Sequence, residues 1–148
     1  MKPAKTTRRV PNSTAAHINR RIRVNMECRL LHYSYHPEEI DGRLRELDRE
    51  WDIERTLEAN ASSLALAGLG LAKVASGKFI LLPVAVLGFL LQHALRGWCP
   101  PIPVLRRMGV RTQAEIQLER YALKVLRGDF DDLKGKDGAD KALAAVER

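Results

Sequence analysis

Residues Ala59 to Leu95 contain only two charged side chains, Lys73 and Lys78, and no acid. Such a block leaves few options. It reads as two short apolar segments, ANASSLALAGLGLA and FILLPVAVLGFLLQHAL, joined by KVASGK. A membrane hairpin is the simplest structure that buries both segments. A soluble helical bundle with this hairpin as its core is the competing architecture. It is weakened because the segments lack polar faces over many turns.

Charge is concentrated on the flanks. Residues 1–58 carry twelve Lys/Arg and ten Asp/Glu, and residues 96–148 carry eleven and eight. Acidic residues alternate with basic ones nearly everywhere, which is not the footprint of a nucleic-acid binder. The concentrated positives are Arg20, Arg21 and Arg23, then Arg106, Arg107 and Arg111. Beside an apolar hairpin, such flanks belong in the cytoplasm, facing an anionic leaflet. The N-terminus, MKPAKTTRRVPNST, has no apolar core of the kind a secretory signal carries. Cys28 and Cys99 suggest no disulfide framework and should be reduced in that compartment.

The chain divides by pattern. Residues 1–13 read as a flexible basic tail. Residues 14–58 read as amphipathic cytoplasmic helices. The first, about Ala15 to Tyr33, has Ile18, Ile22, Met26 and Leu30 at every fourth position, with Val24, Cys28 and Leu31 widening the stripe. Pro37 opens the second, whose seam is Ile40, Leu44, Leu47 and Trp51. No Pro or Gly interrupts the chain after that seam, so this helix is expected to run on into the membrane segment. Residues 59–98 form the hairpin. Residues 99–128 form a Pro-rich turn and a cytoplasmic helix opened by the capping box Thr112-Gln-Ala-Glu115 and closed by Gly128. Residues 129–148 read as mostly flexible, with a weak helix over Lys141 to Val146.

Within the hairpin, Ala61, Ala65, Gly68, Ala72 and Ala75 are spaced four, three, four, three. Small residues in such a row let two helices approach closely in lipid. Lys73 and Lys78 are long enough to snorkel to the far interface. Gln92 and His93 form a polar pair near the end of the second span, suited to a hydrogen bond with the partner helix or adjacent loop. Trp98 is a natural interface anchor.

The stretch from about His17 to Phe130, with LLPVAVLGFLLQHALRGWCPPIPVLRRMGVRT at its centre, resembles the YgaP-type family of inner-membrane proteins. The GWCP element followed by Gly109 carries most of the likeness. LRELDREWDIERTLEANAS and ERYALKVLRGDF look like the subgroup that stands alone without a rhodanese module. The resemblance implies a two-helix transmembrane domain, dimeric, with no known activity for stand-alone members. No sulfurtransferase cysteine carries over.

Candidate chemistry is sparse. Cys99, between Trp98 and Pro100 with Arg96 nearby, could be a reactive thiol, because a neighbouring cation lowers a thiol pKa. A small residue packed at a turn is the plainer alternative. Cys28, His32 and His36 are spaced as metal ligands on one helix face, but Pro37 disturbs the geometry and no fourth ligand is evident. The acids from Glu46 to Glu58 interleave with Arg45, Arg49 and Arg55 as helical ion pairs. The sequence therefore leads to an all-α, two-span inner-membrane protein with both termini cytoplasmic. It is expected to be a non-enzymatic interaction or scaffold module, without cofactor, metal or nucleic acid. Its expected partners are the lipid bilayer, a second copy and a cytoplasmic protein. The alternative function is a membrane-bound thiol or sulfur carrier, or a redox-responsive protein, using Cys99.

Overall fold

The computed structural model describes residues 6–131, 133 and 137–147. Every regular element among them is helical. The α-helices are α1 (Arg9–Asn12), α2 (Ala16–Tyr35), α3 (Ile40–Arg49), α4 (Ile53–Val74), α5 (Leu81–Arg96), α6 (Ile102–Met108), α7 (Gln113–Arg127) and α8 (Gly138–Glu147). They form two compact units. The first comprises Met1–Arg20 and Trp51–Gln113; the second comprises Arg21–Glu50 and Ala114–Arg148.

In the first unit, α4 and α5 pack along each other as a helical hairpin. A 3-10 turn over Gly77–Ile80 precedes α5, with the Ser76 side chain accepting from the Lys78 backbone N–H. Pro83 lies in the first turn of α5, where its missing N–H costs no helical hydrogen bond. Gly68, Pro83 and His93 are buried between the helices, while Ala61, Ala65, Val86 and Leu90 are half-buried. The outward faces stay apolar and exposed: Leu66 is 70% exposed, Val74 80%, Leu81 68%, Leu91 62% and Leu95 70%. One segment, Gly77–Arg96, is long and apolar enough to cross a membrane, and only 11% of its most apolar stretch is buried in the molecule.

A small core closes the charged end of this hairpin. Val10, Ile53, Leu57, Cys99 and Ile102 form it, with Leu105 and Val110 against it. The segment expected to be a loose tail contributes Val10, which is 3% exposed. That expectation is corrected for residues 6–13, which form helical turns; Met1 to Lys5 lie outside the described residues. The uninterrupted helix expected after Leu47 is also corrected. Glu50 is extended, and the Asp52 carboxylate then accepts the Arg55 N–H at 2.7 Å, capping a new helix. Trp51 consequently leaves the α3 seam, is 49% exposed, and holds the Arg55 guanidinium 4.3 Å from its ring centroid. From Ile53 the helix does run without a break through the apolar block to Val74.

In the second unit, Ile40, Leu44 and Leu47 of α3 pack with Ile116 and Leu123 of α7, flanked by Leu30 and Tyr33. The α2 stripe is narrower than its pattern suggests. Ile22 and Met26 are buried, whereas Val24, Cys28 and Leu31 are exposed. Tertiary packing covers one line of this helix rather than a broad face. Gly128 closes α7 at φ 87°, a left-handed conformation that suits glycine. The stretch after it is less loose than expected. α8 begins at Gly138, and the buried Lys124 ammonium donates to the carbonyls of Ala145 at 3.1 Å and Val146 at 2.5 Å. Lysine at a helix C-terminus satisfies carbonyls that the helix itself leaves open.

Candidate functional site

The charged end of the hairpin gathers most of the chemistry of the first unit. Gly97 ends α5 at φ 75°. A Cβ there would meet the Arg9 backbone at 2.5 Å, so only glycine permits this approach of α1. Two contacts fix α1 in place. The Arg9 guanidinium donates to the Ala94 carbonyl, and the Ser13 hydroxyl donates to the Arg96 carbonyl at 3.4 Å. Both acceptors belong to the last turn of α5, where carbonyls lack helical partners and attract cations.

Arg106 is wholly buried beneath this end. Its guanidinium donates to Asn19 Oδ1 at 2.8 Å and to the Val110 carbonyl at 3.2 Å. Asn19 in turn donates to the Pro11 carbonyl at 2.8 Å. The Ile53 N–H bonds to the Arg111 carbonyl at 2.9 Å, tying the start of α4 to the strap after α6. Two of the arginines expected as a solvated basic flank, Arg106 and Arg111, are therefore structural and buried. Arg107, one residue on, faces outward.

His93 is 7% exposed, and its Nδ1 has no hydrogen-bond partner among the described residues. The same is true of Glu54 Oε2 on α4. Glu54 and Arg9 are the charged groups whose fields reach His93. Gln92, its sequence partner, is half-buried, and Trp98 is 38% exposed. The sequence pattern identified His93 as polar and special, but neither Glu54 nor Arg9 stood out beside it. A lone Val10 within a basic stretch, followed by Pro11 and Asn12, was the available signal for α1.

Cys99 packs at its turn, in keeping with the plainer of its two readings, whereas Cys28 leaves the apolar stripe assigned to it. Cys99 is buried in the small core, and burial pushes its thiol above the ordinary range. Arg96 does not offset that burial. Cys28 is exposed. A reactive thiol needs access and thiolate, and burial opposes both at Cys99.

The small-residue row divides. Gly68 is buried, Ala61, Ala65 and Ala72 are half-buried, and Ala75 is exposed past the end of α4. Its packing is within the chain: a Cβ on Gly68 would meet Pro83 Cδ at 2.6 Å and Leu82 Cβ at 3.2 Å.

Metal-ligating side chains meet at the C-terminus of α2. Ligand atoms of His36, Glu38 and Glu39 all lie within 4.8 Å of one another. His32 Nε2 is 2.9 Å from Glu39 Oε2, and the His32 and His36 rings are 4.6 Å apart. The hydrogen bond with His32 holds the Glu39 carboxyl below its ordinary range. All four are exposed, and Cys28 is not part of the group. Mutual hydrogen bonding at a helix end accounts for the cluster.

Charged residues of the second unit pair with each other. Glu119, wholly buried, accepts from Arg29 Nε at 2.9 Å and Nη2 at 2.8 Å, and from Arg43 Nε at 2.9 Å. Arg120 meets Asp48 at 2.7 Å. Arg127 pairs with Asp129 and Asp41, and its hydrogen bond with Asp129 chiefly raises its pKa. No protein-family model, curated protein or solved structure matches this chain.

Proposed function

We propose that this is a two-span inner-membrane protein with both termini in the cytoplasm, acting as a non-enzymatic interaction or scaffold module. The reading includes membership of the YgaP-type stand-alone group and self-association as a homodimer. One observation carries it. The α4–α5 hairpin turns large apolar side chains outward along its length, and the charges are confined to its two ends. The core helix of a soluble protein would be mostly buried, whereas the Gly77–Arg96 stretch is not. Lipid is the solvent that tolerates such a surface.

The test is topological. A cytoplasm-active reporter fused to either terminus should give signal, and a periplasm-active one should not. A periplasmic C-terminus would overturn the two-span arrangement. Extraction by alkaline carbonate without detergent would overturn membrane insertion itself.

A further inference from the structure

Three ionisable side chains from three helices converge at the charged end of the hairpin, and two of them end in buried atoms without a hydrogen bond among the described residues. The packing fixes their levels. Gly68 meets Pro83 across the antiparallel hairpin. Fourteen residues back from Gly68 along α4 is Glu54, and fourteen on from Pro83 along α5 is Gly97, so Glu54 and Gly97 stand level. Glu54, Ala61 and Gly68 recur every seven residues, which keeps Glu54 on the line of α4 that faces α5. His93 is one turn from Gly97, whose N–H donates to the His93 carbonyl at 2.7 Å. Arg9 reaches the same turn from α1. Its backbone lies against Gly97, and its guanidinium donates to the carbonyl of Ala94, next to His93. All three groups belong to the first unit.

This junction is costly as it stands. His93 is 7% exposed, and its Nδ1 and the Glu54 Oε2 are both enclosed. An enclosed carboxylate oxygen costs free energy until a donor or cation meets it. An imidazole that takes up a proton donates from both nitrogens and carries the charge a carboxylate attracts. The same charge opposes a neighbouring guanidinium. Glu54 on α4 and Arg9 on α1 are the charged groups whose fields reach His93. Of the other ionisable groups at this end, Arg106 of α6 bonds to Asn19 and to the Val110 carbonyl, and Arg96 of α5 is exposed. Burial pushes the Cys99 thiol above its ordinary range, which keeps it uncharged near neutrality.

We propose that His93 and Glu54 form a proton-binding pair whose occupancy governs the docking of α1. With His93 neutral, Arg9 holds the Ala94 carbonyl and α1 is docked. One proton taken up from solvent makes both ring nitrogens donors, pairs Nδ1 with Glu54 Oε2, and sets a positive charge beside Arg9. Release of α1 removes that second cation. The released form therefore binds the proton more tightly, and linkage favours release as pH falls and docking as pH rises. Histidine places this change between about pH 5 and 8. The inference goes beyond the membrane and scaffold reading and does not depend on it.

The test places a nitroxide on α1 through Asn12→Cys in a Cys28→Ser background, using the full chain in detergent micelles, where the remaining Cys99 is buried. The label should be immobile at about pH 8 and mobile at about pH 5, with the docked-to-released ratio changing by at most about tenfold per pH unit, the limit for one proton. Gly97→Ala supplies the released spectrum at both pH values. His93→Gln should stay docked throughout. Glu54→Gln should move the midpoint about one unit lower, because the protonated ring loses its anion. That shift tests the pair even where His93→Gln fails to fold. A nitroxide at Arg49→Cys, exposed on α3, should not respond. A label at Asn12→Cys that stays immobile down to pH about 5 overturns the proposal. So does a transition that survives His93→Gln, one that Glu54→Gln leaves in place, or one that the Arg49→Cys label follows in step.

Discussion

Replacement of Gly68 tests the hairpin most directly. The backbone there is ordinary helix, so alanine meets no conformational penalty of its own. In an open helix, Gly→Ala would stabilise by about 1 kcal/mol. Here the new Cβ would lie 2.6 Å from Pro83 Cδ, more than an ångström inside normal contact at about 3.8 Å. Pro83 Cδ is part of a ring fixed to the backbone and cannot rotate aside. The helices must therefore separate, and overpacking of this kind costs about 1–3 kcal/mol. The net effect of Gly68→Ala is a destabilisation of about 0–2 kcal/mol once the propensity gain is subtracted, or about 1–3 kcal/mol relative to alanine at an open helical glycine. Gly68→Leu should cost more. Gly70 and Gly88 supply controls, since a Cβ at either meets nothing within 4 Å. Both alanine variants should match or slightly exceed wild type. Unfolding in mixed micelles, followed by helicity or by steric trapping, gives the comparison. Pro83→Ala should rescue Gly68→Ala in a double-mutant cycle, because it removes the clashing atom. If Gly68→Ala behaves like Gly70→Ala, with no coupling to Pro83, the close-approach argument is refuted.

Three further outcomes follow from other parts of the molecule. Gly97→Ala should release α1, seen as new protease sensitivity near Arg8 and Arg9, because it combines a left-handed φ with an approach of 2.5 Å to the Arg9 backbone. Gly109→Ala, at φ 92° with open space around it, should cost only the left-handed penalty of about 1–2 kcal/mol and leave α1 docked. Alkylation at neutral pH should label Cys28 well before Cys99. Burial raises the folded Cys99 pKa, so the unfolded chain loses that proton first; stability should fall as pH rises past the ordinary thiol value, and Cys99→Ala should flatten the fall. Faster labelling of Cys99 than Cys28 would restore the thiol-carrier reading. In the second unit, Glu119→Gln should cost about 1–3 kcal/mol by weakening the bonds of a buried carboxylate to Arg29 and to Arg43, which keeps its pair with Glu46, whereas Glu27→Gln at the exposed Arg23 pair should cost about 0–1 kcal/mol in chemical denaturation. Equal costs would show that burial of Glu119 adds nothing.

Local periodicity made the helices legible, and tertiary packing decided what it could not. The Ile40, Leu44, Leu47 seam was readable because charges flank each apolar position. Its continuation to Trp51 was not, since Asp52 looks like one more acid in a charged helix until its carboxylate caps Ile53–Val74. The row from Ala61 to Ala72 announced a close approach. Its opposing residue, Pro83, could be named only once the turn had set the register. Cys28 lies one step off a true buried line, and a helical wheel does not say how wide the covered line is. Arg106 and Arg107 are neighbours in a basic run, yet one is wholly buried and the other faces outward. Glu119 is likewise indistinguishable in the sequence from its solvated neighbours, because burial of an acid depends on two arginines supplied by α2 and α3.

On the membrane reading, the two arms of the hairpin are matched in length. Ala59–Val74 and Leu81–Arg96 are each sixteen residues, about 24 Å at 1.5 Å per residue. A hydrocarbon layer of about 30 Å is longer than either arm. The Gly77–Ile80 turn and the snorkelling stems of Lys73 and Lys78 make up part of the difference at one end. Cations at both ends also oppose sliding in either direction. On the proposed topology, orientation follows the difference in sequence between the flanks, since only Lys73 and Lys78 lie near the turn and the larger group of Lys/Arg flanks the block.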